Sequence, residues 1–397
     1  LWIVESCWEG FMHAPFNASL IEIVREAWPE RQTVFVADST HLAEVRAALP
    51  ADIVASVRWV PLDRGAPSQP WASYRHRVRR DLHPFRQARR ARRLLRAVQS
   101  LAESDVRWLF TSADASLLSA LWLDHRGGRS RPRPEVVLHG ELAGIAGWRS
   151  RRPTRRALDL TSSLRRWMQA GGSITVLEEH IEDALTTRFP GVVGRGTVKV
   201  LPHPASEPAE EIGPAPLGLP IQVGFLGVAT VAKGFDSFVR TADRLRGDSG
   251  VRFRVAGFGG QALPELPVDA LDDVLPDSGL PRARYEEILA ELDYVCLPLS
   301  GEYYGFAASG SVLDAIQFLR PIITLDTPPM RRFVESAGDI GYVCADEAGL
   351  ESTIRRLAND PDVERHRLQT ENLRRLRDLR SPAALARVAR TIWDLEG

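Results

Sequence analysis

The chain has 397 residues, a length that predicts two or three domains. Of these residues 44% are hydrophobic and 26% are charged, which is the composition of a globular protein. No run of eighteen apolar residues exists, which excludes a transmembrane helix, and a net charge of zero gives no preference for nucleic acid. The three cysteines (Cys7, Cys296 and Cys344) are far apart. They therefore predict buried, reduced thiols in a cytoplasmic protein rather than a disulfide framework or a metal site.

Strand and helix patterns alternate through the first half of the chain. The strand candidates are LWIVES at the start, which does not resemble a signal peptide, then TVFVADS, VRWV, VRWLFTSAD, EVVLHG and SITVLEE. Between the first two, Leu20, Ile23, Val24 and Ala27 fall on one helical face. This alternation predicts a parallel sheet covered by helices on both sides.

A proline-rich stretch, PASEPAEEIGPAPLGLP, then predicts a linker or a long surface loop. The alternation restarts with strand candidates IQVGFLG, VRFRVAGFG, DDVLPD, YVCLPLS, PIITLDT and GYVCAD. Helices are predicted at 235–245, 283–292, 311–319 and 382–395. We therefore expect an α/β protein with one domain at 1–205, a linker at 206–219, a second domain at 220–381, and a cleft between the domains.

The segment VGFLGVATVAKGFDSFVRTADRL is the first candidate site. A buried strand ends at Gly227, a loop leads to Lys233-Gly234, and a helix follows. Such a unit can present backbone N–H groups and a long cationic side chain to a phosphate. The alternative is an ordinary loop with a solvated lysine. Lys199 and Lys233 are the only lysines among 51 basic residues, which makes a retained lysine noteworthy.

The segment PLSGEYYGFAASGSVLDAIQFLRPIIT is the second candidate site. A strand ends at Leu299, the loop contains Glu302 and Gly305, and residues 309–311 (Ser-Gly-Ser) open a helix. Small residues at a helix N-terminus can bind an anion, and Asp314, one turn further, can accept hydrogen bonds from ribose hydroxyls. Helix capping by either serine is the alternative.

These two segments resemble the donor-binding half of retaining GT-B glycosyltransferases of the family 4-like group. The family pattern of a glycine, a Lys-Gly pair, a loop glutamate, a second glycine and a proline after the helix is matched by Gly227, Lys233, Gly234, Glu302, Gly305 and Pro321. The order of elements is similar over nearly the whole chain. The resemblance implies two Rossmann-like, doubly wound domains facing a cleft, with a final helix, 382–397, that packs back on the first domain.

The resemblance also implies the roles of individual residues. The implied catalytic residues are His139, Lys233 and Glu302. The implied donor-binding residues are Gly10, Gly227, Thr230, Lys233, Gly257, Gly305, Ser309, Gly310, Ser311 and Asp314. The chain departs from the family pattern at Val228, where arginine is common, at Leu319, where glycine is usual, and in the twelve-residue spacing of Glu302 and Asp314.

The first domain is expected to bind the acceptor, through His13, Asn17 and Glu141. His13 and Asn17 follow the first strand, where capping of the next helix by Asn17 or Ser19 is an equally good interpretation. His139 ends the strand EVVLHG and is either a site residue or a structural histidine. Glu178, near the end of SITVLEE, is a weaker candidate.

Metal and cofactor signals are weak. The sequence Asp360-Pro361-Asp362 is interpreted as a helix start rather than a metal-binding motif. The glycines of VAGFGGQAL lack the spacing and the ribose-binding acid of a dinucleotide site. We therefore expect no metal and no cofactor besides a nucleotide-diphosphate sugar. The segment 75–96, with ten arginines and one acid, fits either a solvated helix face or a contact with anionic lipid or a phosphorylated acceptor.

The predicted function is the transfer of a sugar from a nucleotide-diphosphate sugar to an acceptor hydroxyl, with retention and without metal, by a bacterial cytoplasmic enzyme. The predicted location includes peripheral contact with the inner membrane face. The alternatives are a nucleotide-sugar epimerase of the same fold, and a non-catalytic module that docks a membrane or protein through the arginine-rich helix.

Overall fold

The computed structural model describes residues 1–62, 77–101, 106–126, 133–146, 156, 158–191, 193, 198–205, 217–259, 265–393 and 395. The chain forms two compact units. The first comprises Leu1–Pro204, Phe306–Ala308 and Pro382–Gly397, and the second comprises Ala205–Gly305 and Ser309–Ser381. Most of the predicted linker, 206–216, lies outside the described residues.

The first unit contains a parallel sheet of seven strands in the order β3-β2-β1-β4-β5-β6-β7. The strands are β1 (Trp2–Val4), β2 (Val34–Ala37), β3 (Arg58–Pro61), β4 (Trp108–Phe110), β5 (Glu135–Leu138), β6 (Ile174–Val176) and β7 (Val198–Val200). The inner strands are short apolar runs that are buried on both faces, as expected when helices cover both sides of a parallel sheet.

Helices connect these strands. They are α1 (Ala14–Ala27), α2 (Ser39–Ala47), α3 (Ala51–Ser56), α4 (Arg77–Ser100), α5 (Ala115–Arg126), α6 (Ala143–Ala146), α7 (Leu160–Gln169) and α8 (Glu179–Arg188). The predicted apolar face of α1 is confirmed, since Leu20, Ile23, Val24 and Ala27 are all buried.

The second unit contains a parallel sheet of five strands in the order β12-β11-β10-β8-β9. The strands are β8 (Ile221–Ala229), β9 (Val251–Gly259), β10 (Tyr294–Leu297), β11 (Ile322–Leu325) and β12 (Gly341–Cys344). The helices are α9 (Phe235–Arg244), α10 (Arg282–Glu291), α11 (Gly301–Tyr304), α12 (Gly310–Gln317), α13 (Pro328–Ala337), α14 (Glu347–Asn359) and α15 (Val363–Leu379). Single 3₁₀ turns occupy Val231–Lys233 and Val268–Ala270.

The last helix, α16 (Pro382–Ile392), belongs to the first unit. Its buried residues Leu385, Ala386 and Ala389 share a core with the apolar face of α1. The indole nitrogen of Trp393, just after the helix, donates a hydrogen bond of 2.8 Å to Thr175 Oγ1 on β6. The chain therefore returns to the first sheet after completing the second.

One predicted strand is wrong. The residues of DDVLPD, 272–277, form bends and irregular structure beside β9, which is an edge strand. The carboxylates of Asp272 and Asp273 accept hydrogen bonds from the backbone N–H groups of Phe253 (2.7 Å) and Val255 (2.9 Å). Two backbone hydrogen bonds of 2.8 Å, from Asp272 N to Phe253 O and from Gly259 N to Pro276 O, also join this segment to β9. The segment thus covers the edge strand without forming a regular strand.

The helix start predicted at Asp360–Asp362 is confirmed. Helix α15 begins at Val363, and the Asp362 carboxylate accepts a hydrogen bond from Arg365 N at 3.0 Å. Across the described residues, no helix combines the length and the apolar character needed to cross a membrane.

Candidate functional site

Each sheet has one point where the strand order reverses, between β1 and β4 in the first unit and between β8 and β10 in the second. In open parallel sheets, ligands bind beyond the carboxyl ends of the strands at this point. Lys233 follows β8, and His13 follows β1. Each candidate region therefore lies where its own sheet favours a ligand.

The loop after β8 has a defined conformation. The Thr230 hydroxyl accepts a hydrogen bond of 3.3 Å from Lys233 N and opens the 3₁₀ turn. Gly234 then has a φ of 74°, and a Cβ atom there would lie 2.1 Å from Pro298 O. Ser300 N, after β10, donates a hydrogen bond of 2.9 Å to Ala232 O. The loops that follow these two neighbouring strands are therefore packed against each other.

This packing gives a test of the loop. We expect Gly234→Ala to lower the free energy of unfolding by about 2–4 kcal/mol, because the new methyl group needs both a left-handed backbone and the space of the Pro298 carbonyl. Gly310→Ala is the matched control. A Cβ atom at Gly310 meets nothing within 4 Å, so this change is expected to be neutral or slightly stabilising in its helix. Chemical denaturation of both variants measures the difference, and equal stabilities would contradict the assignment.

The Lys233 side chain is partly buried. Its Nζ donates a hydrogen bond of 2.8 Å to Ser311 Oγ, and Ser311 Oγ donates one of 3.0 Å to Leu226 O. Gly227 leaves room for this arrangement, since a Cβ there would lie 2.6 Å from Nζ. Burial lowers the pKa of Lys233 to about 8, against the opposing attraction of Asp314. A desolvated cation with a neutral partner is a suitable site for an anion.

Gly257 on β9 lies directly opposite Gly227 on the neighbouring strand β8. A Cβ atom at Gly257 would lie 2.0 Å from the carbonyl oxygen of Gly227. Glycine is therefore needed for the two strands to approach this closely, which is a structural reason for the residue. A contact between Gly257 and a donor nucleotide stays a prediction.

Asp314 is already engaged by neighbouring side chains. The Tyr285 hydroxyl donates a hydrogen bond of 2.6 Å to its Oδ2, and Arg282 Nη1 lies 3.5 Å from its Oδ1. The Arg282 guanidinium also stacks over the Tyr285 ring at 5.2 Å. Burial and the charge of Asp314 raise the pKa of Tyr285 well above its ordinary value, so the phenol stays a donor. Neither Tyr285 nor Arg282 was predicted from the sequence, and the ribose contact of Asp314 stays a prediction.

Helix α12 begins as predicted, at Gly310, but serine capping is the wrong explanation. Ser309 is the N-cap residue, and its side chain makes no capping hydrogen bond. The Ser311 hydroxyl points to Leu226 O and accepts from Lys233 instead. The two predicted segments are therefore joined by a direct contact between Lys233 and Ser311.

Glu302 and Gly305 lie on and just after the short helix α11. The Glu302 side chain is exposed, and within the described ranges its carboxylate has no hydrogen bond or ion pair. Gly305 has an ordinary φ of −60°. Lys233 thus donates its hydrogen bond to Ser311 and not to Glu302. A role for Glu302 stays a prediction.

In the first unit, a buried carboxylate organises the loop after β1. Glu5 has no exposed surface. Its Oε1 accepts hydrogen bonds from Cys7 N (2.7 Å), Trp8 N (3.1 Å) and Ser112 Oγ. Its Oε2 accepts from Thr111 Oγ1 (2.8 Å) and Asn17 Nδ2 (3.3 Å). Glu5 therefore ties the β1 loop to the loop after β4 and to α1.

The rest of the loop is fixed by α2. Thr40 Oγ1 accepts a hydrogen bond of 3.0 Å from Gly10 N, and His41 Nδ1 lies 2.8 Å from Gly10 O. His41 Nε2 lies 2.8 Å from Asn17 Nδ2. Helix α1 begins at Ala14, so capping by Asn17 or Ser19 is wrong, and His13 is the N-cap residue with a φ of 61°. Asn17 is fully buried, and its predicted acceptor contact is untested.

Three histidines form a chain at the carboxyl ends of β1, β5 and β7. His139 Nδ1 lies 2.9 Å from His13 Nε2, and His139 Nε2 lies 2.9 Å from His203 Nε2. His203 Nδ1 lies 3.0 Å from Pro204 O. Phe16 packs against His139 and His203, and Trp8 packs against His13. His203 was missed in the sequence, although it follows a strand just as His139 does.

These contacts assign the tautomers of the neutral rings. A carbonyl oxygen only accepts, so His203 Nδ1 bears the hydrogen and its Nε2 accepts from His139. His139 Nδ1 must then accept from His13 Nε2–H. The remaining lone pair is on His13 Nδ1, which is buried and has no hydrogen-bond partner among the described residues. Burial lowers the pKa of His13 to about 4 and that of His139 well below its ordinary value.

Two glutamates accept hydrogen bonds from the backbone of two of these histidines. Glu141 Oε2 accepts a hydrogen bond of 2.7 Å from His139 N, and Glu178 Oε1 accepts one of 3.3 Å from His203 N. Burial raises the pKa of Glu141 to about 8, with a contribution from the charge of Glu5. Glu141 is therefore mostly protonated at neutral pH. A direct contact with the acceptor stays a prediction.

No known family profile matches the chain, and no curated protein matches its sequence. Solved structures do match. The glycosyltransferase of kitacinnamycin superimposes with a TM-score of 0.55 at 14% identity, over 98% of this chain and 97% of its own. CalG4, the calicheamicin glycosyltransferase, gives 0.51 at 15% identity, over 98% and 97%. A mutant O-GlcNAc transferase of Thermobaculum terrenum gives 0.51 at 14% identity, over 99% and 67%.

At these identities the likeness concerns the fold. The three structures named above each cover 98–99% of this chain, and each is named as a glycosyltransferase. This chain forms two parallel sheets with covering helices. The predicted fold class, α/β with the GT-B architecture, is confirmed.

Proposed function

We propose that the protein transfers a sugar from a nucleotide-diphosphate sugar to an acceptor hydroxyl. The observation that supports this most is the partly buried Lys233 ammonium at the strand-order reversal of the second sheet, where it donates a hydrogen bond to Ser311 at the start of α12. A cation and a helix N-terminus together suit a diphosphate leaving group. The fold shared with glycosyltransferases makes transfer the preferred reaction over epimerisation.

Under this proposal the donor binds the second unit. Lys233, Ser311 and the first turn of α12 hold the diphosphate, and the loops at Gly227, Thr230 and Gly257 surround it. The acceptor binds the first unit beside the loop from Gly10 to His13, with His139 and Glu141 behind it. The charge comes from Lys233, so no metal and no further cofactor is needed. The reaction takes place in the cytoplasm.

The function test has two parts. A thermal-shift screen of UDP, GDP, ADP and TDP sugars is expected to give one clear rise in melting temperature, because a ligand of the native state stabilises it. The best donor is then incubated with candidate hydroxyl acceptors and the products are analysed. A free sugar isomer formed without acceptor would identify an epimerase. No stabilisation by any nucleotide would contradict a donor site at Lys233.

We expect donor binding to depend on pH through Lys233. Burial holds its pKa at about 8, and a bound diphosphate favours the ammonium and raises that pKa. Binding therefore takes up a proton above pH 8, and the Kd rises by up to about tenfold per pH unit there. Below pH 8 this dependence disappears. Calorimetry in buffers of different ionisation enthalpy measures the proton uptake, which should be absent in Lys233→Met.

Retention is the proposed stereochemical outcome, on the resemblance to family 4-like enzymes. Inversion would instead need a base for the acceptor hydroxyl. The candidate is the lone pair of His13 Nδ1, which has no hydrogen-bond partner among the described residues but, with a pKa of about 4, is a weak base at neutral pH. We expect a retained product, with His13→Ala lowering kcat by less than about tenfold. An inverted product with a loss of about 10²–10⁴-fold in this variant would identify His13 as the base. NMR of the anomeric proton distinguishes the two results.

A further inference from the structure

Charge is strongly segregated along this neutral chain. Helix α4 contains nine arginines and one aspartate, a net charge of +8. Because the whole chain has a net charge of zero, the other 373 of its 397 residues have a net charge of −8. A general preference for arginine over lysine does not concentrate charge in this way. The concentration needs an explanation of its own.

The arginines of α4 that the structure describes in full lie mainly on one face. Arg86, Arg89, Arg92, Arg93 and Arg96 are all exposed. At about 100° per residue they fall within an arc of about 120°, over about 15 Å of helix. We call these five residues the arginine face. In the described part of the chain the ion pairs involve other residues, so the charge of this face is not neutralised locally.

The opposite side of α4 is occupied by the protein core. Leu95 and Val98 are buried in the core of the first unit, and Ala91 and Leu94 pack against the same core. The helix is thus held with the arginine face outward. One aromatic side chain also lies within the arc: Phe85, at about the angle between Arg92 and Arg96, has 45% of its surface exposed. An exposed phenylalanine among arginines is typical of surfaces that enter a lipid headgroup region.

We propose that the arginine face docks the protein on an anionic lipid membrane. The arginine face is a linear array along the exposed side of a helix, which matches many phosphates on an extended surface rather than one ligand in a pocket. Basic residues near an anionic bilayer each strengthen binding, and an exposed aromatic ring adds contact with the acyl boundary. The proposal is independent of the sugar-transfer function and brings the first unit to the membrane surface.

Co-sedimentation with vesicles tests the proposal in the whole 397-residue chain. We expect binding to phosphatidylcholine vesicles containing about 40% phosphatidylglycerol, little binding to pure phosphatidylcholine, and loss of binding at about 500 mM salt. The test variant combines Arg86→Gln, Arg89→Gln, Arg93→Gln and Arg96→Gln, and is expected to bind at least about tenfold more weakly. Phe85→Ser is expected to weaken the binding that remains at intermediate salt.

The matched control removes the same four charges elsewhere. It combines Arg284→Gln, Arg332→Gln, Arg355→Gln and Arg367→Gln, whose side chains are 46–63% exposed in the second unit. Wild-type-like vesicle binding by this control supports the proposal. Equal losses in the two variants, or equal binding to neutral vesicles, would overturn it. So would a loss of duplex DNA binding in the test variant with lipid binding unchanged, since nucleic acid would then be the partner.

Discussion

Lys233→Met is expected to lower the rate of sugar transfer by about 10²–10³-fold while making the donor-free protein more stable. Under the proposed function, the loss of rate follows because the Lys233 ammonium stabilises the negative charge that develops on the leaving diphosphate. The gain in stability follows because the same ammonium is desolvated, with Ser311 as its hydrogen-bond partner. Methionine keeps the apolar stem and removes the partly desolvated charge.

The size of the stability effect follows from the pKa. Lowering the pKa of Lys233 from 10.5 to about 8 corresponds to about 3 kcal/mol, an upper value because the site can relax in the variant. The unfolded chain binds this proton more tightly than the native chain, so the wild type gains stability as pH rises from 8 to 10.5. The difference in the free energy of unfolding between Lys233→Met and the wild type should therefore be largest at pH 7 and shrink toward pH 10.

Lys199→Met is the matched control, because Lys199 is the only other lysine. Its Nζ forms an ion pair of 2.6 Å with Glu135, whose side chain is 8% exposed. Removing this ammonium leaves a nearly buried carboxylate without its partner, so a loss of about 1–3 kcal/mol is expected. Denaturation at pH 7 should thus move the two lysine variants in opposite directions. A destabilised Lys233→Met with near-normal transfer would contradict the assigned role.

The sequence predicted the fold well because parallel strands have a strong local signal. Short apolar runs separated by amphipathic helices identify buried parallel strands, and six of the seven strands of the first sheet lie in or beside the predicted segments. The error at 272–277 has a physical cause: this segment does lie along the edge strand, but the carboxylates of Asp272 and Asp273 accept hydrogen bonds that a regular strand would form through its backbone.

The family pattern also indicated one position that needs an unusual backbone conformation. Leu319 replaces a glycine of the family pattern, and it has a left-handed φ of 57° with its side chain fully buried. The family glycine thus marks a position where the chain needs this conformation. Here a leucine adopts it at a cost of about 1–3 kcal/mol, offset by burial of the side chain.

The contacts of the site were less predictable, since they join residues far apart in sequence. Lys233 and Ser311 were each identified, but their direct hydrogen bond depends on how β8 and α12 pack. The sequence signal for Glu5 is weak, since it is a single acidic residue at the end of an apolar strand. Its five hydrogen-bond donors come from three separate segments, and no local pattern relates them.

Glu5→Gln is expected to lower the free energy of unfolding by about 2–5 kcal/mol. The carboxylate accepts on both oxygens, whereas an amide has one acceptor and one donor group. In either orientation the amide N–H₂ faces buried donors, either the backbone of Cys7 and Trp8 or the side chain of Asn17. Each donor left without an acceptor costs about 1–3 kcal/mol.

The effect should be concentrated in the loop that leads to His13. Amide hydrogen exchange at Cys7 and Trp8 is expected to accelerate in Glu5→Gln more than exchange in β4, because these two N–H groups lose their acceptor while the sheet keeps its own hydrogen bonds. Glu44→Gln is the control, since Glu44 is exposed on α2 and its replacement should stay within about 0.5 kcal/mol of the wild type. If Glu5→Gln were equally harmless, the five hydrogen bonds would not be what orders this loop. The position of His13 would then depend on the histidine chain and α2 alone.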